Sequence, residues 1–202
     1  MKRVVVIFLV LLSFGLNAQQ GFHLGAEVSP SWNVNLQRQS STGLNNSTAG
    51  YGFNIGVPMR YGINDQFSIQ SGLTFEFMAF DERFNKTLIS SNRHGSLHLP
   101  LMMSYGVTDA WYLNFGLGIN YNFYNRQWTS FGTLDLGSVT NKFQPYTGLG
   151  LSTLLEQDKG TFELGVLGRF HFIDMYKPST FSAEEFKNYI ISLDLILRMY
   201  FL

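Results

Sequence analysis

Residues 50 to 63, GYGFNIGVPMRYGI, place Tyr51, Phe53, Ile55, Val57, Met59, Tyr61 and Ile63 at every second position, with only Gly, Asn, Pro and Arg between them. Successive side chains of a strand point to opposite faces, so one face here is wholly apolar and the other small or polar. The same period returns at 67 to 77, where Phe67, Ile69, Leu73, Phe75 and Phe77 alternate with Ser68, Gln70, Gly72, Thr74 and Glu76. It returns again at 97 to 107 and, most regularly, at 111 to 123. There Trp111, Leu113, Phe115, Leu117, Ile119, Tyr121 and Phe123 oppose Tyr112, Asn114, Gly116, Gly118, Asn120 and Asn122. Weaker versions at 22 to 34, 143 to 154, 161 to 172 and 189 to 201 bring the predicted strands to eight.

The connectors sort into two kinds that alternate along the chain. Residues 35 to 49, 81 to 95, 124 to 142 and 173 to 188 read as long polar loops, whereas INDQ (63 to 66), VTDA (107 to 110) and EQDKG (156 to 160) read as tight turns. Sequential antiparallel strands with tight turns at one end and long loops at the other describe an up-and-down meander, which closes most simply as a barrel. A soluble barrel would line its inside with the apolar set and cover its outside with Lys and Glu. Here the non-apolar face is Asn, Gly and Ser, a poor protein core. The orientation is therefore the reverse: an all-β, eight-stranded antiparallel up-and-down transmembrane β-barrel, apolar outside and polar within. Strands of about 9 to 11 residues suffice to cross a bilayer at their usual tilt. Two aromatic belts fit the same reading, with Tyr61, Tyr105 and Trp111 toward the tight turns and Tyr51, Tyr121, Phe123 and Tyr189 toward the long loops. Pro58, Pro100 and Pro145 cannot donate to a ladder, and bulges or locally missing bonds are expected there.

Before these strands, MKRVVVIFLVLLSFGLNAQQ carries Lys2 and Arg3, an apolar run from Val4, and small residues Gly15 and Ala18 near a polar exit. That is the layout of a cleaved secretory signal, predicted to occupy residues 1–18 with cleavage after Ala18, leaving 19–202 as one outer-membrane barrel domain. The chain has no Cys, which excludes disulfides, thiolate zinc sites and a lipid-modified N-terminal cysteine. Lys plus Arg and Asp plus Glu both number 14, and this zero net charge gives no electrostatic reason to expect nucleic acid as a partner.

The inward face holds a few charges: Glu27, Arg60, Glu76, Glu163, Arg169, Asp194 and Arg198, with His98 and His171. An eight-stranded barrel is just wide enough for side chains to fill it, and unpaired charge in such a space is costly. These nine residues are expected to form an interior ion-pair cluster, with Arg60, Arg169 or Arg198 bridging to Glu27, Glu76, Glu163 or Asp194. Ser90, Ser91, Ser96 and His94, with Asp81 and Glu82, crowd the connection between the third and fourth strands. Read as a loop rich in Ser and Asn, they supply no catalytic set. GLGIN and GLGLS lack a following helix, so neither supports a nucleotide site. No catalytic, cofactor or metal residues are assigned.

LHLPLMMSYGVTDAWYLNFGLGINYNF, residues 97 to 123, and YTGLGLS at 146 to 152 resemble the small outer-membrane β-barrel proteins of Bacteroidetes, the PorT-like or porin-family group. The resemblance extends from the signal to the final strand and implies residence in the cell outer membrane, among its lipid. It carries over no catalytic residue. Members of such families usually end on an outward-facing aromatic; here Phe201 is followed by Leu202. The reading that results is a non-enzymatic structural or loop-mediated binding barrel with a filled lumen, whose long loops meet an extracellular ligand or envelope protein. The alternatives are a narrow pore or accessory component of an envelope transport machine, and a lipid-modifying enzyme.

Overall fold

Strands whose outer face meets no water must satisfy every backbone N–H and C=O through a neighbouring strand, which only a sheet closed on itself achieves. The computed structural model, which describes residues 21–39, 45–64, 66–84, 87–108, 110–157, 160–173, 175 and 186–201, has that closure. Its strands are β1 (Phe22–Gln39), β2 (Asn45–Gly62), β3 (Phe67–Phe84), β4 (Thr87–Gly106), β5 (Trp111–Thr129), β6 (Gly132–Asp135), β7 (Phe143–Gln157), β8 (Gly160–His171) and β9 (Phe186–Phe201). All pairings are antiparallel, in the order β4-β3-β2-β1-β9-β8-β7-β5, and β4 pairs with β5 to close a ring of eight. The short β6 pairs only with the end of β5, and so stands outside the ring. The segment predicted as a signal peptide, the residue Leu202 and most of 173–188 lie outside the described residues.

The two faces separate as the alternation requires. Leu101, Leu117 and Leu149 on the outside are more than 60% exposed, while Glu76, Ser104, Asn120 and Glu163 on the inside are fully buried. All seven named girdle residues point outward, and Trp32, the cross-strand partner of Tyr51, joins the belt at the long-loop end.

Tight turns follow from their sequence. In the first, Ile63 N–H donates to the Phe67 carbonyl (2.8 Å), while the Asn64 side-chain oxygen accepts from Gln66 and Phe67 N–H (3.0 and 2.8 Å). Thr108 Oγ1 repeats the device for Ala110 and Trp111.

The other end differs from the sequence reading. Most of 35–49, 81–95 and 124–142, predicted as loops, is strand, because the β1–β2, β3–β4 and β4–β5 ladders continue past the apolar band. Once both faces meet water, neither needs to be apolar; the alternation vanishes from the sequence while backbone pairing persists.

The prolines also behave specifically. Pairing of β1 with β2 passes from Leu24–Met59 to Glu27–Gly56, and that of β3 with β4 from Ser71–Leu101 to Thr74–His98, so both ladders skip the proline rows without losing register. Pro58 and Pro100 thus interrupt the ladder as expected and make no bulge. They flank Gly72 of β3, whose φ of +151° suits glycine and where a Cβ would come within 2.9 Å of Pro58 Cα. Ser71 Oγ, one residue away, donates to the Pro100 carbonyl at 2.8 Å. Pro145 sits at the start of β7, in register with Ile119, and no interruption occurs there. True register shifts fall elsewhere: between Glu82 and Arg83, and at Gly95/Ser96, where Phe123 of β5 is left without a partner.

Glycines admit the large inward rings. A Cβ on Gly118 would collide with the Tyr146 ring, itself 2% exposed. Gly118→Leu is expected to lower the stability of the barrel in lipid vesicles by about 1 to 3 kcal/mol through overpacking. Leu117→Arg, one residue earlier and facing outward, should cost about 2 to 4 kcal/mol by placing charge against hydrocarbon. Urea unfolding followed by tryptophan fluorescence would measure both, with Phe131→Arg, at a fully exposed tip beside β6, as an unaffected control.

Candidate functional site

The lumen is built by register. Glu27 of β1, Arg198 of β9 and Glu163 of β8 are direct cross-strand partners, so three charges fall in one row. Arg198 Nε donates to Glu27 Oε2 at 2.8 Å, and its Nη1 donates to Gln70 Oε1 at 2.8 Å and lies 3.4 Å from Glu163 Oε2. Gln70 Nε2 in turn donates to Glu163 Oε1 (3.2 Å), Tyr200 O–H to Glu163 Oε2 (2.9 Å) and Ser29 Oγ to Glu27 Oε1 (3.0 Å). Gln70 lies three strands from Arg198, so this set ties β3 across the lumen to β8 and β9.

A second set lies nearer the long-loop end. Arg169 of β8 donates through Nε to Asp194 Oδ2 (2.5 Å) and through Nη2 to Glu76 Oε1 (2.5 Å) and Asp194 Oδ1 (2.9 Å). Glu76 is on β3, four strands from β8 either way around the ring, so Arg169 spans the lumen. His98 of β4 completes the set: its Nδ1 lies 2.8 Å from Arg169 Nη1 and its Nε2 2.6 Å from Glu76 Oε2. A ring accepting at Nδ1 and donating from Nε2–H satisfies both partners as the neutral tautomer, an assignment made from the partners. Ser96 Oγ and Asn54 Nδ2 donate to Glu76 and Asp194, each at 3.2 Å. A guanidinium fork between two carboxylates is the geometry that makes charge-assisted bonds strong.

Apolar side chains share this lumen, which the sequence reading did not anticipate. Met102, Leu167 and Ile196 form one buried cluster, and Met78, Phe80, Met175 and Ile190 another at the long-loop end. The signal was present in FEFMAF, residues 75 to 80, where apolar residues occupy both parities. Polar ladders fill between: Asn114 Nδ2 donates to Ser152, Asn122 Nδ2 to Gln144, and Asn125 Nδ2 to Thr140, all within 2.8 Å.

Two of the nine predicted cluster residues stand apart. Arg60 makes no ion pair among the described residues; its guanidinium lies 5.0 Å from the Tyr112 ring centre, at a mouth cavity of about 280 Å³ shared with His23, Glu156 and Tyr200. It is two residues from the end of β2, too near the mouth to join the lower set. His171 is inside and fully buried, yet it packs on Tyr146, 5.4 Å between ring centres, and neither ring nitrogen has a hydrogen-bond partner among the described residues. The expectation that all nine would form one cluster is corrected in this respect: seven form two separate sets.

Of the hydroxyl-rich segment, Ser91 Oγ donates to Asp81 (2.7 Å) and Ser96 Oγ to Glu76, while the nitrogens of His94 have no hydrogen-bond partner among the described residues and its ring meets Phe80 edge-on. Among the described residues no three His, Asp or Glu side chains are placed to hold a metal ion.

Known proteins are similar to this chain. A family model described as an outer membrane protein beta-barrel domain matches residues 17–172. Ail, the attachment invasion locus protein of Yersinia pestis, is similar in structure at 11% identity, with 91% of this chain and 100% of that chain covered and a TM-score of 0.44. Neisserial surface protein A aligns at 13% identity over 86% and 96% of the two chains, also with a TM-score of 0.44. OprG from Pseudomonas aeruginosa aligns at 11% identity over 90% and 96%, again with a TM-score of 0.44. No curated protein matches significantly. With the family model matching well over half of its length, the chain belongs to the outer membrane protein β-barrel domain family and is an eight-stranded barrel of the outer membrane.

Proposed function

We propose that this barrel is closed to solute flow and acts from its extracellular end, as a structural or binding barrel of the PorT-like type rather than as a pore or an enzyme. The observation that carries this reading is Arg169, which reaches from β8 across to Glu76 on β3 and holds the lumen shut at that level. The lower set around Arg198 and the Met102, Leu167 and Ile196 layer add to the obstruction. A secretory leader at 1–18 fits a protein bound for this membrane.

Binding from the far end is supported by the β5–β6 hairpin, which rises beyond the ring and shows Trp128, Phe131 and Leu134 to solvent, with Phe131 100% exposed. Apolar side chains held out on a paired hairpin suit an extracellular ligand or envelope protein with an apolar contact surface. Single-channel recording in planar bilayers tests the closed lumen: the protein should insert without current steps, and stable unitary conductance would sink the plug and favour the narrow pore. Phe131→Ser with Leu134→Ser should leave folding intact and abolish photo-crosslinking from the adjacent Thr133 to any envelope partner. An unchanged adduct would remove the hairpin from the binding surface.

The plug also makes a stability prediction. Arg169→Met leaves Glu76 and Asp194 buried without their cation and is expected to cost about 3 to 5 kcal/mol, measured by urea unfolding from vesicles. Adding Glu76→Gln and Asp194→Asn should recover part of that loss, because the stranded charges are then gone.

A further inference from the structure

The outer surface carries a charged feature that neither the plug nor the hairpin uses. Tyr51 of β2, Ala79 of β3, Arg93 of β4 and Arg126 of β5 are successive cross-strand partners and form one continuous outward row. The row next to it toward the apolar band is Phe53, Phe77, Gly95 and Tyr124. Ala79 is small, so a cleft of about 290 Å³ opens over it between Tyr51, Phe53 and Phe77 on one side and Tyr124 on the other, with Arg93 at its upper end, while the Phe123 ring covers Gly95. The stacked rings of Phe53 and Phe77, 5.2 Å apart, form part of its wall. A second, more polar cleft of about 680 Å³ begins beside Phe123 and Tyr124 and reaches Arg126 and Lys142.

Two arginines thus stand side by side where the apolar wall ends. The acids near them among the described side chains are Asp81 and Asp135. Asp81 lies 3.5 Å from Arg93 Nη1, but the same oxygen already accepts a 2.7 Å bond from Ser91, and Arg93 Nη1 makes no hydrogen bond among the described residues. Asp135 is opposite Arg126 across β5–β6, but its Oδ1 accepts from Gly137 N–H at 2.8 Å, and no ion pair joins it to Arg126. The Arg126 guanidinium instead rests over Tyr124, 5.5 Å from the ring centre. Among the described side chains, Lys142 adds a third cation to the two arginines against Asp81 and Asp135, each of which already accepts a hydrogen bond from another group.

We propose that this is a binding site for one phosphate-bearing lipid of the outer leaflet. An acyl chain lies over Ala79, between Phe77 and Tyr124, and the phosphate is held between Arg93 and Arg126. The occupant must be anionic to suit adjacent guanidinium groups, amphiphilic to use an apolar cleft continuous with the bilayer, and a phosphate to accept from two forked donors at once. A soluble anion would gain nothing from the cleft beneath.

Native mass spectrometry of the full chain after transfer from nanodiscs to neutral detergent reads this directly, with phosphatidic acid and diacylglycerol of the same acyl chains as probes. One phosphatidic acid per barrel should be retained and diacylglycerol lost. Arg93→Gln with Arg126→Gln should weaken retention about tenfold or more. Ala79→Phe, which fills the cleft and leaves both arginines in place, should weaken it as well, and it reads the site alone if the double variant does not fold. Arg60→Gln, at the opposite mouth, should retain lipid as the parent does. Equal retention by the arginine double variant, or by Ala79→Phe where only that variant folds, overturns the proposal. Displacement by inorganic phosphate as effective as by phosphatidic acid also overturns it, by showing an anion site with no lipid character.

Discussion

Closure is the constraint on which everything else in this molecule rests. A strand in hydrocarbon has no water to satisfy its backbone, so β4 must find β5 for the sheet to exist there at all. Once the ring closes at eight strands, its width is fixed, and with it the distance that a side chain must reach to meet one from the far wall. Arg169 reaches Glu76 because eight strands set that span. Leucines outside and asparagines inside are the same constraint expressed in two solvents.

Within that ring, polar and apolar side chains divide the lumen by height. The Arg198 set and the Arg169 set each hold two carboxylates on one guanidinium and use Gln70, Ser96, Asn54 and Tyr200 to occupy the remaining hydrogen-bonding positions. Buried ion pairs of this kind are weak evidence for stability, since desolvation offsets much of the attraction. Their better-attested contribution is selectivity for one register: Glu27, Arg198 and Glu163 meet in a row only if β1, β9 and β8 are aligned as they are. A slip of one residue in any of these strands would turn that strand's charge toward lipid.

Much of this was legible in the sequence, and the limits have physical causes. Parity along a strand assigns a face, and it placed all nine candidate charges inside. It does not assign height, because height depends on how far each strand is staggered relative to its neighbours. Arg60 and His171 are inside but at the wrong heights for the ion-pair sets. The polar continuations of β1 to β5 were invisible for a different reason: alternation reports a difference between two solvents, and above the membrane there is only one. Met78 and Phe80 could have been found, since apolar residues at both parities mark a strand buried on both faces.

Phe123 has a consequence beyond its place in the aromatic belt. A strand is a two-letter code, in and out, and an unpaired residue is a one-letter insertion that inverts every symbol after it. Up to Asn122 the even positions of β5 face the lumen; past Phe123 the odd ones do, so Asn125 is buried while Arg126 and Trp128 look outward. Without that insertion, Arg126 and Trp128 would be carried into the lumen and Asn125 out of it. One residue of slack thus lets a single strand serve the plug below and the outer surface above.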